Sequence, residues 1–215
     1  MDKVESSLFD GITDEEYARM TECFKTTLKT HRKGEEVAMP QGRVGVVHRG
    51  RISVMKTDVN GVRTIFEQLG EGGVFGAMLS IAGADTNFFL VAEEDCDVLY
   101  VDYDHIMKRC PKACAYHSTI VRNLVRLMAE KTQALSEHLE ILSHRTTREK
   151  LLAYFRMLAA KSRSSYFTLP FSQTNLADYI CVDRSAMLRE LANMRREGLV
   201  EIDRRNVKLN LHKTL

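Results

Sequence analysis

"SQTNLADYICVDRSAMLRELANMRREGLVEI", residues 172–202, divides into two short amphipathic helices with barely three residues between them. Ser172 stands where a helix N-cap is favoured, ahead of Leu176, Ala177 and Ile180. Asp183 caps the next segment, in which Met187, Leu191 and Met194 recur at helical spacing, and Gly198 follows where an αL-tolerant residue can end it. Two helices joined so tightly must cross steeply, which is the helix-turn-helix geometry. The exposed side of the second helix then carries Arg184, Ser185 and Arg189, opposite the apolar stripe. Arginine can bond guanine O6 and N7 with both arms of its fork, and serine can serve several bases. The following "LVEIDRRNVKLNL", residues 199–211, reads as a two-stranded wing whose tip, Arg204 and Arg205, suits phosphate. The competing reading is a solvated, ion-paired face, with Arg189 beside Glu190 and Arg195 beside Glu197.

Charge weighs between the two. The 215 residues carry a net charge of only +2, but residues 143–215 hold 14 Lys/Arg against 7 Asp/Glu and residues 1–142 hold 17 against 22. One third of the chain attracts a polyanion while the rest repels it, which points to double-stranded DNA as the partner. A 44% hydrophobic content is enough for a core in each of two small domains, and three prolines with 28% charged residues argue against disorder. No apolar run approaches the roughly 20 residues of a membrane span, and the first twenty residues are acidic where a secretory signal would be basic and apolar, so a cytoplasmic location and no membrane partner are expected. The five cysteines lack any C-x-x-C spacing and are read as reduced thiols.

Residues 27–103 alternate short Val/Ile/Phe-rich segments with Gly and Asn, and the Asn60-Gly61 pair between "RISVMKT" and "VRTIFEQL" is a strong hairpin signal. Many short strands with glycine turns argue for an antiparallel sandwich or barrel. Ahead of them, Thr13-Asp14-Glu15-Glu16 forms a helix-starting capping box. After Pro111 the period changes: Val121, Leu124, Met128, Lys131, Leu135, His138 and Leu142 follow steps of three and four, a seam for pairing with a second copy of the chain. Thr146 and Glu149 make a second capping box after a break at residues 143–145, and 161–165, "KSRSS", reads as a polar loop. The expected fold class is therefore α+β. Residues 1–111 form an antiparallel sandwich or barrel with an N-terminal helix, 112–142 a helix that pairs with a second copy, and 143–215 a winged helix-turn-helix.

The chain resembles the Crp/Fnr family of bacterial transcription regulators from about Leu8 to Leu211. "KGEEVAMPQGRVGVVHRGRISVMKTDVNGVRTIFEQLGEGGVFGAM", the long helix, and "DYICVDRSAMLRELANMRREGLVEI" carry the resemblance, in the family's order and spacing. It implies a homodimeric regulator on an inverted-repeat operator, with residues 1–111 a β jelly-roll sensor of a small-molecule effector and 112–142 the dimerisation helix. It also implies base reading by Arg184, Ser185 and Arg189, and a phosphate contact by Gln173. Ser185 stands where the cyclic-AMP-binding member has a glutamate. Lys161 and Arg163 lie where family activators face RNA polymerase, which makes the polymerase a further implied partner.

The resemblance breaks in the sensor. The cyclic-nucleotide branch places a Glu on the ribose and an Arg on the phosphate; those slots here hold Ala77 and either Thr86 or Asn87. A cyclic phosphate buried without a cation would lose its charge-assisted partner, so cyclic AMP is not the expected effector. The branch's polar pair on the long helix falls at Leu135 and Ser136. What remains is an effector pocket between Gly76, Ala77, Met78, Thr86 and Asn87 on one side and Lys131, Leu135, Ser136 and His138 on the other, with Lys131 or His138 supplying charge. Only Cys23 lies where the oxygen-sensing branch has a cysteine cluster, so no iron–sulfur cluster is expected. Haem, which would draw on His48, His117 or His138, is not expected either. Cys110 and Cys114 offer a redox pair by spacing, although such pairs more often only pack. Without any H-x-H, a cupin-like enzyme is disfavoured, and no catalysis is expected. The alternative function is a signalling module with a nucleotide-binding-like barrel that does not touch DNA.

Overall fold

The computed structural model describes residues 2–76, 88–107 and 115–210. Its contacts divide the chain into two compact units: Met1–Asp58 with Phe66–Thr132, and Val59–Ile65 with Gln133–Leu215.

The first unit opens with helix α1, Asp14–Cys23, held by the anticipated box. The Glu16 amide donates to Thr13 Oγ1 at 3.2 Å, and the Thr13 amide to Glu16 Oε2 at 2.9 Å. Seven strands follow among the described residues: β1 Thr27–His31, β2 Arg43–Arg49, β3 Ile52–Thr57, β4 Arg63–Leu69, β5 Val74–Phe75, β6 Phe89–Ala92 and β7 Cys96–Asp102. They form one sheet in the order β1-β7-β2-β5 and another in the order β4-β3-β6, the two-sheet arrangement expected of a jelly roll. The Asn60-Gly61 turn joins β3 to β4, with Gly61 at φ +78.

The strands β2 and β7 read as nearly continuous apolar runs because both faces of their sheet are covered. Val47, Val98 and Tyr100 face inward, onto Ile52, Leu90 and Ala92 of the second sheet. Val44, Val46, Leu99 and Val101 face outward, onto Phe9, Tyr17, Met20 and Phe24. Gly45 gives Phe75 its place: a Cβ there would lie 2.1 Å from the ring.

A short helix α2, Tyr103–Met107, precedes the long helix α3, Ala115–Ser143. The apolar repeat of α3 exists, but its outward phase differs from the one the sequence suggested. Leu124 and His138 are buried, and Lys131 is turned to Glu67, so these three seam positions face the protein's own body. The exposed apolar residues are Val125 at 63%, Leu135 at 57% and Leu139 at 68%. With half-buried Val121, Met128 and Leu142 and exposed Thr132, they form the stripe 121-125-128-132-135-139-142, again in steps of three and four. The exposed stripe is thus shifted from the one read in the sequence: four of the seven positions are shared, and 125, 132 and 139 replace 124, 131 and 138.

The second unit contains α4, Thr147–Ser162; β8, Tyr166–Thr168; α5, Gln173–Tyr179; α6, Arg184–Arg196; and strands β9, Val200–Asp203, and β10, Asn206–Leu209. The Thr146–Glu149 box starts α4 after the break at 144–146. The helix runs further than the sequence suggested, so Lys161 lies in its last turn and Arg163 at its αL cap. Among the described residues, no helix is long and apolar enough to cross a membrane.

Candidate nucleic-acid interface

The two-helix element is assembled by three caps. Ser172 Oγ accepts the Asn175 amide at 3.2 Å to start α5, and Asp183 Oδ1 accepts the Ala186 amide at 2.8 Å to start α6. At the far end the Leu199 amide donates to the Met194 carbonyl at 2.9 Å over Gly198, whose φ of +69 makes that closure easy. Between the helices, Cys181 takes φ +52, the αL conformation that turns the chain fastest and that glycine would adopt with less strain. Lys150, reaching over from α4, donates to the carbonyls of Ile180 and Cys181 at 3.2 and 3.4 Å. It satisfies acceptors that the end of α5 leaves open and places positive charge at its negative pole.

Leu176, Ala177, Ile180, Met187, Leu191 and Met194 are all buried, so the crossing angle is fixed by packing. Each methionine so buried contributes about 1.5–3 kcal/mol relative to exposure. Leu151, Tyr154 and Phe155 of α4, a helix in contact with α6, are buried as well. Burial raises the Tyr154 phenol far above its ordinary value, so that ring is a neutral packing group.

Arg184, Ser185 and Arg189 are all exposed, the first two on the opening turn of α6 and Arg189 on the next. The ion-paired alternative is answered by Arg148, which sequence reasoning did not single out. Its Nε donates to Glu190 at 2.5 Å, and its two terminal nitrogens donate to Glu197 at 2.8 and 2.7 Å. These bonds push the guanidinium pKa up and pull that of Glu197 below the usual carboxylate range. The two acids that could have neutralised the arginines of α6 are therefore bound to α4. Among the described residues, neither Arg184 nor Arg189 makes a hydrogen bond or ion pair. Glu190 and Glu197 stand seven apart, two turns along one face, and that spacing was the available signal. Nothing in the sequence shows that a residue 42 positions before one and 49 before the other grips both.

Gln173 is exposed on the first turn of α5, at the positive end of the helix. The wing is a sheet in the order β8-β10-β9, turned at Arg204, which is exposed with φ +53. Arg205 differs from the sequence reading of a free tip residue. Its Nε donates to the Leu169 carbonyl at 2.8 Å and a terminal nitrogen to the Pro170 carbonyl at 3.3 Å. It braces the segment that leads into the Ser172 cap, which leaves only part of its fork for phosphate.

Of the residues read as an effector pocket, Ala77, Met78, Thr86 and Asn87 lie outside the described residues, as do Cys110 and Cys114. Gly76 is at φ +82, where a Cβ would come 2.8 Å from the Arg43 carbonyl oxygen. Lys131 is paired with Glu67, Leu135 and Ser136 are exposed, and His138 is only 4% exposed. The His138 ring stacks on Tyr179 at 3.9 Å and 2°, and its Nε2–H donates to the Tyr179 carbonyl at 2.8 Å. Burial pushes its pKa down, against the upward pull of that bond, so the ring is held neutral. The two candidate charge suppliers are thus committed, one to a glutamate and one to packing against α5. His117, considered for haem, is hydrogen-bonded at Nε2 to the His105 carbonyl at 2.9 Å.

Comparison with known proteins gives a consistent picture for both units. The cyclic nucleotide-binding domain profile matches residues 30–112, and the Crp-like helix-turn-helix profile matches 149–215, together well over half of the chain. A protein named "Cyclic AMP receptor protein" from Thermus thermophilus is 24% identical over 204 residues, 92% of this chain and 89% of that one. A "Probable transcriptional regulator flp" from Lacticaseibacillus casei is 24% identical over 207 residues, 94% of this chain and 90% of that one. Among solved structures, a CooA mutant from Carboxydothermus hydrogenoformans superposes with a TM-score of 0.76 at 17% identity, covering 100% of this chain and 95% of that one.

Proposed function

Since this chain belongs to the Crp/Fnr family of DNA-binding transcription regulators, we propose that it acts as a homodimer on an inverted-repeat operator and reads it with α6. In this reading Arg184, Ser185 and Arg189 meet base edges, while Gln173, Arg204 and the remaining arm of Arg205 meet phosphates. The observation that carries it is the disposition of charge around α6: Arg148 holds Glu190 and Glu197, and Arg184 and Arg189 are left exposed with no hydrogen bond or ion pair among the described residues. Buried or ion-paired arginines could not serve a groove. These can, without giving up a contact.

Residues 112–142 pair the two copies through the stripe that includes Val125, Leu135 and Leu139, and residues 1–111 sense a small effector. A heptad stripe left facing solvent on a long helix favours a second helix of the same kind. Ala77 and Thr86 or Asn87 leave a cyclic phosphate without a cation, so the effector is taken to be other than cyclic AMP, unlike that implied by the name of the Thermus relative. RNA polymerase is the proposed second partner, through the end of α4 at Lys161 and Arg163.

Selection of bound sequences from a random double-stranded DNA pool tests this directly. An inverted repeat with half-sites about one helical turn apart is expected. Recovery of no common sequence would refute the reading.

A further inference from the structure

A serine hydroxyl holds one donor and two acceptor lone pairs, and in isolation it can serve donors and acceptors alike. Ser185 is not isolated. Its hydroxyl donates to Asp183 Oδ1 at 2.5 Å, in the short range of bonds to an ionised acceptor. The same oxygen accepts the Ala186 amide at 2.8 Å, so the carboxylate cannot swing away without uncapping α6. The Ser185 bond, then the Ala186 amide, hold the Asp183 carboxyl below its usual range, with Arg189 adding to the effect. Asp183 is therefore an anion and accepts only. If Ser185 turned its proton to the DNA, that anion would lose a donor while facing a polyanion.

We infer that Asp183 is a specificity-determining residue: by occupying the Ser185 proton, it leaves Ser185 to read the major groove as an acceptor only. The inference rests on the DNA-reading role proposed above for α6. In the major groove adenine N6 and cytosine N4 donate, whereas guanine O6 and N7 and thymine O4 accept. An acceptor-only Ser185 takes adenine or cytosine at the base it reaches. Guanine or thymine there would bring two acceptors together.

The test is selection from a random DNA pool with the full-length protein, Ser185→Ala and Asp183→Gly, each first checked by thermal melting. Glycine is a tolerated N-cap, so Asp183→Gly frees the Ser185 proton with little loss of helix. The protein is expected to enrich adenine or cytosine at one position per half-site by roughly three- to tenfold, the span of a single hydrogen bond. Ser185→Ala erases that preference, Asp183→Gly admits guanine and thymine at the same position, and the remaining positions stay as they were. Enrichment of guanine or thymine at the position that depends on Ser185 overturns the inference, as does an unchanged preference in Ser185→Ala or Asp183→Gly. If Asp183→Gly fails to fold, the first of those comparisons decides alone. Should no repeat be selected by the unaltered protein, the DNA-reading role itself fails; a repeat without the adenine-or-cytosine preference removes this inference only.

Discussion

Arg189→Ala is expected to weaken binding to the selected operator by about 1–3 kcal/mol per half-site, the discrimination that a bidentate arginine–guanine pair supplies. Its melting temperature should stay unchanged. The two halves of that expectation follow from one feature: Arg189 is exposed and makes no hydrogen bond or ion pair among the described residues, so its truncation removes nothing from the fold. Arg184→Ala should behave alike at a different base position. Arg204→Ala, at the exposed turn of the wing, should instead lower affinity for all sequences by a similar factor, because a phosphate contact carries no sequence information. Gel-shift titration against the operator and a scrambled duplex separates the two patterns. Equal losses on both duplexes for Arg189→Ala would contradict its assignment as a reader.

The second large effect concerns α3. If two copies pair through α3 as proposed, Leu135→Asp combined with Leu139→Asp should leave folded monomers, seen by sedimentation or light scattering. Burying each leucine at a dimer seam contributes about 1.5–3 kcal/mol, and both occur twice, so the dissociation constant should rise on the order of a thousandfold or more. The monomer should still fold, since both side chains already face solvent in the single chain. Leu124→Ala and His138→Ala should do the opposite, lowering the melting temperature through the cavities they leave and altering association little. A dimer that survives Leu139→Asp alone but dissociates with changes at 124 and 138 would restore the phase that the sequence suggested.

That difference of phase shows where sequence reading ends. Thr13, Thr146, Ser172, Asp183 and Gly198 could be placed from the sequence because a cap is a local bond between residues three to five apart. The Asn60-Gly61 hairpin was legible for the same reason. The heptad of α3 was legible as a period, yet two neighbouring phases share Val121, Met128, Leu135 and Leu142. Choosing between them requires knowing which side the protein's own core occupies. Lys131 and His138 looked like polar intrusions in a seam; in the fold they are inward groups with particular partners, Glu67 and Tyr179. In the same way the arginines of α6 could be assigned to an exposed face from spacing, but their freedom from ion pairing depends on Arg148, which reaches α6 from another helix. Arg205 shows the converse, since a residue at a turn looks free until the carbonyls of Leu169 and Pro170 come within reach.

Engagement of DNA by the positive face of α6 is tested most directly by the affinity of the protein for the selected operator, measured as a function of salt. Releasing counterions from phosphates should give a steep negative slope of log K against log salt, with affinity falling on the order of a thousandfold between about 50 and 200 mM, and should favour the operator over random duplex throughout. Affinity for DNA that is absent, or flat in salt and indifferent to sequence, would contradict the account and leave the chain as a signalling module that acts through protein contacts.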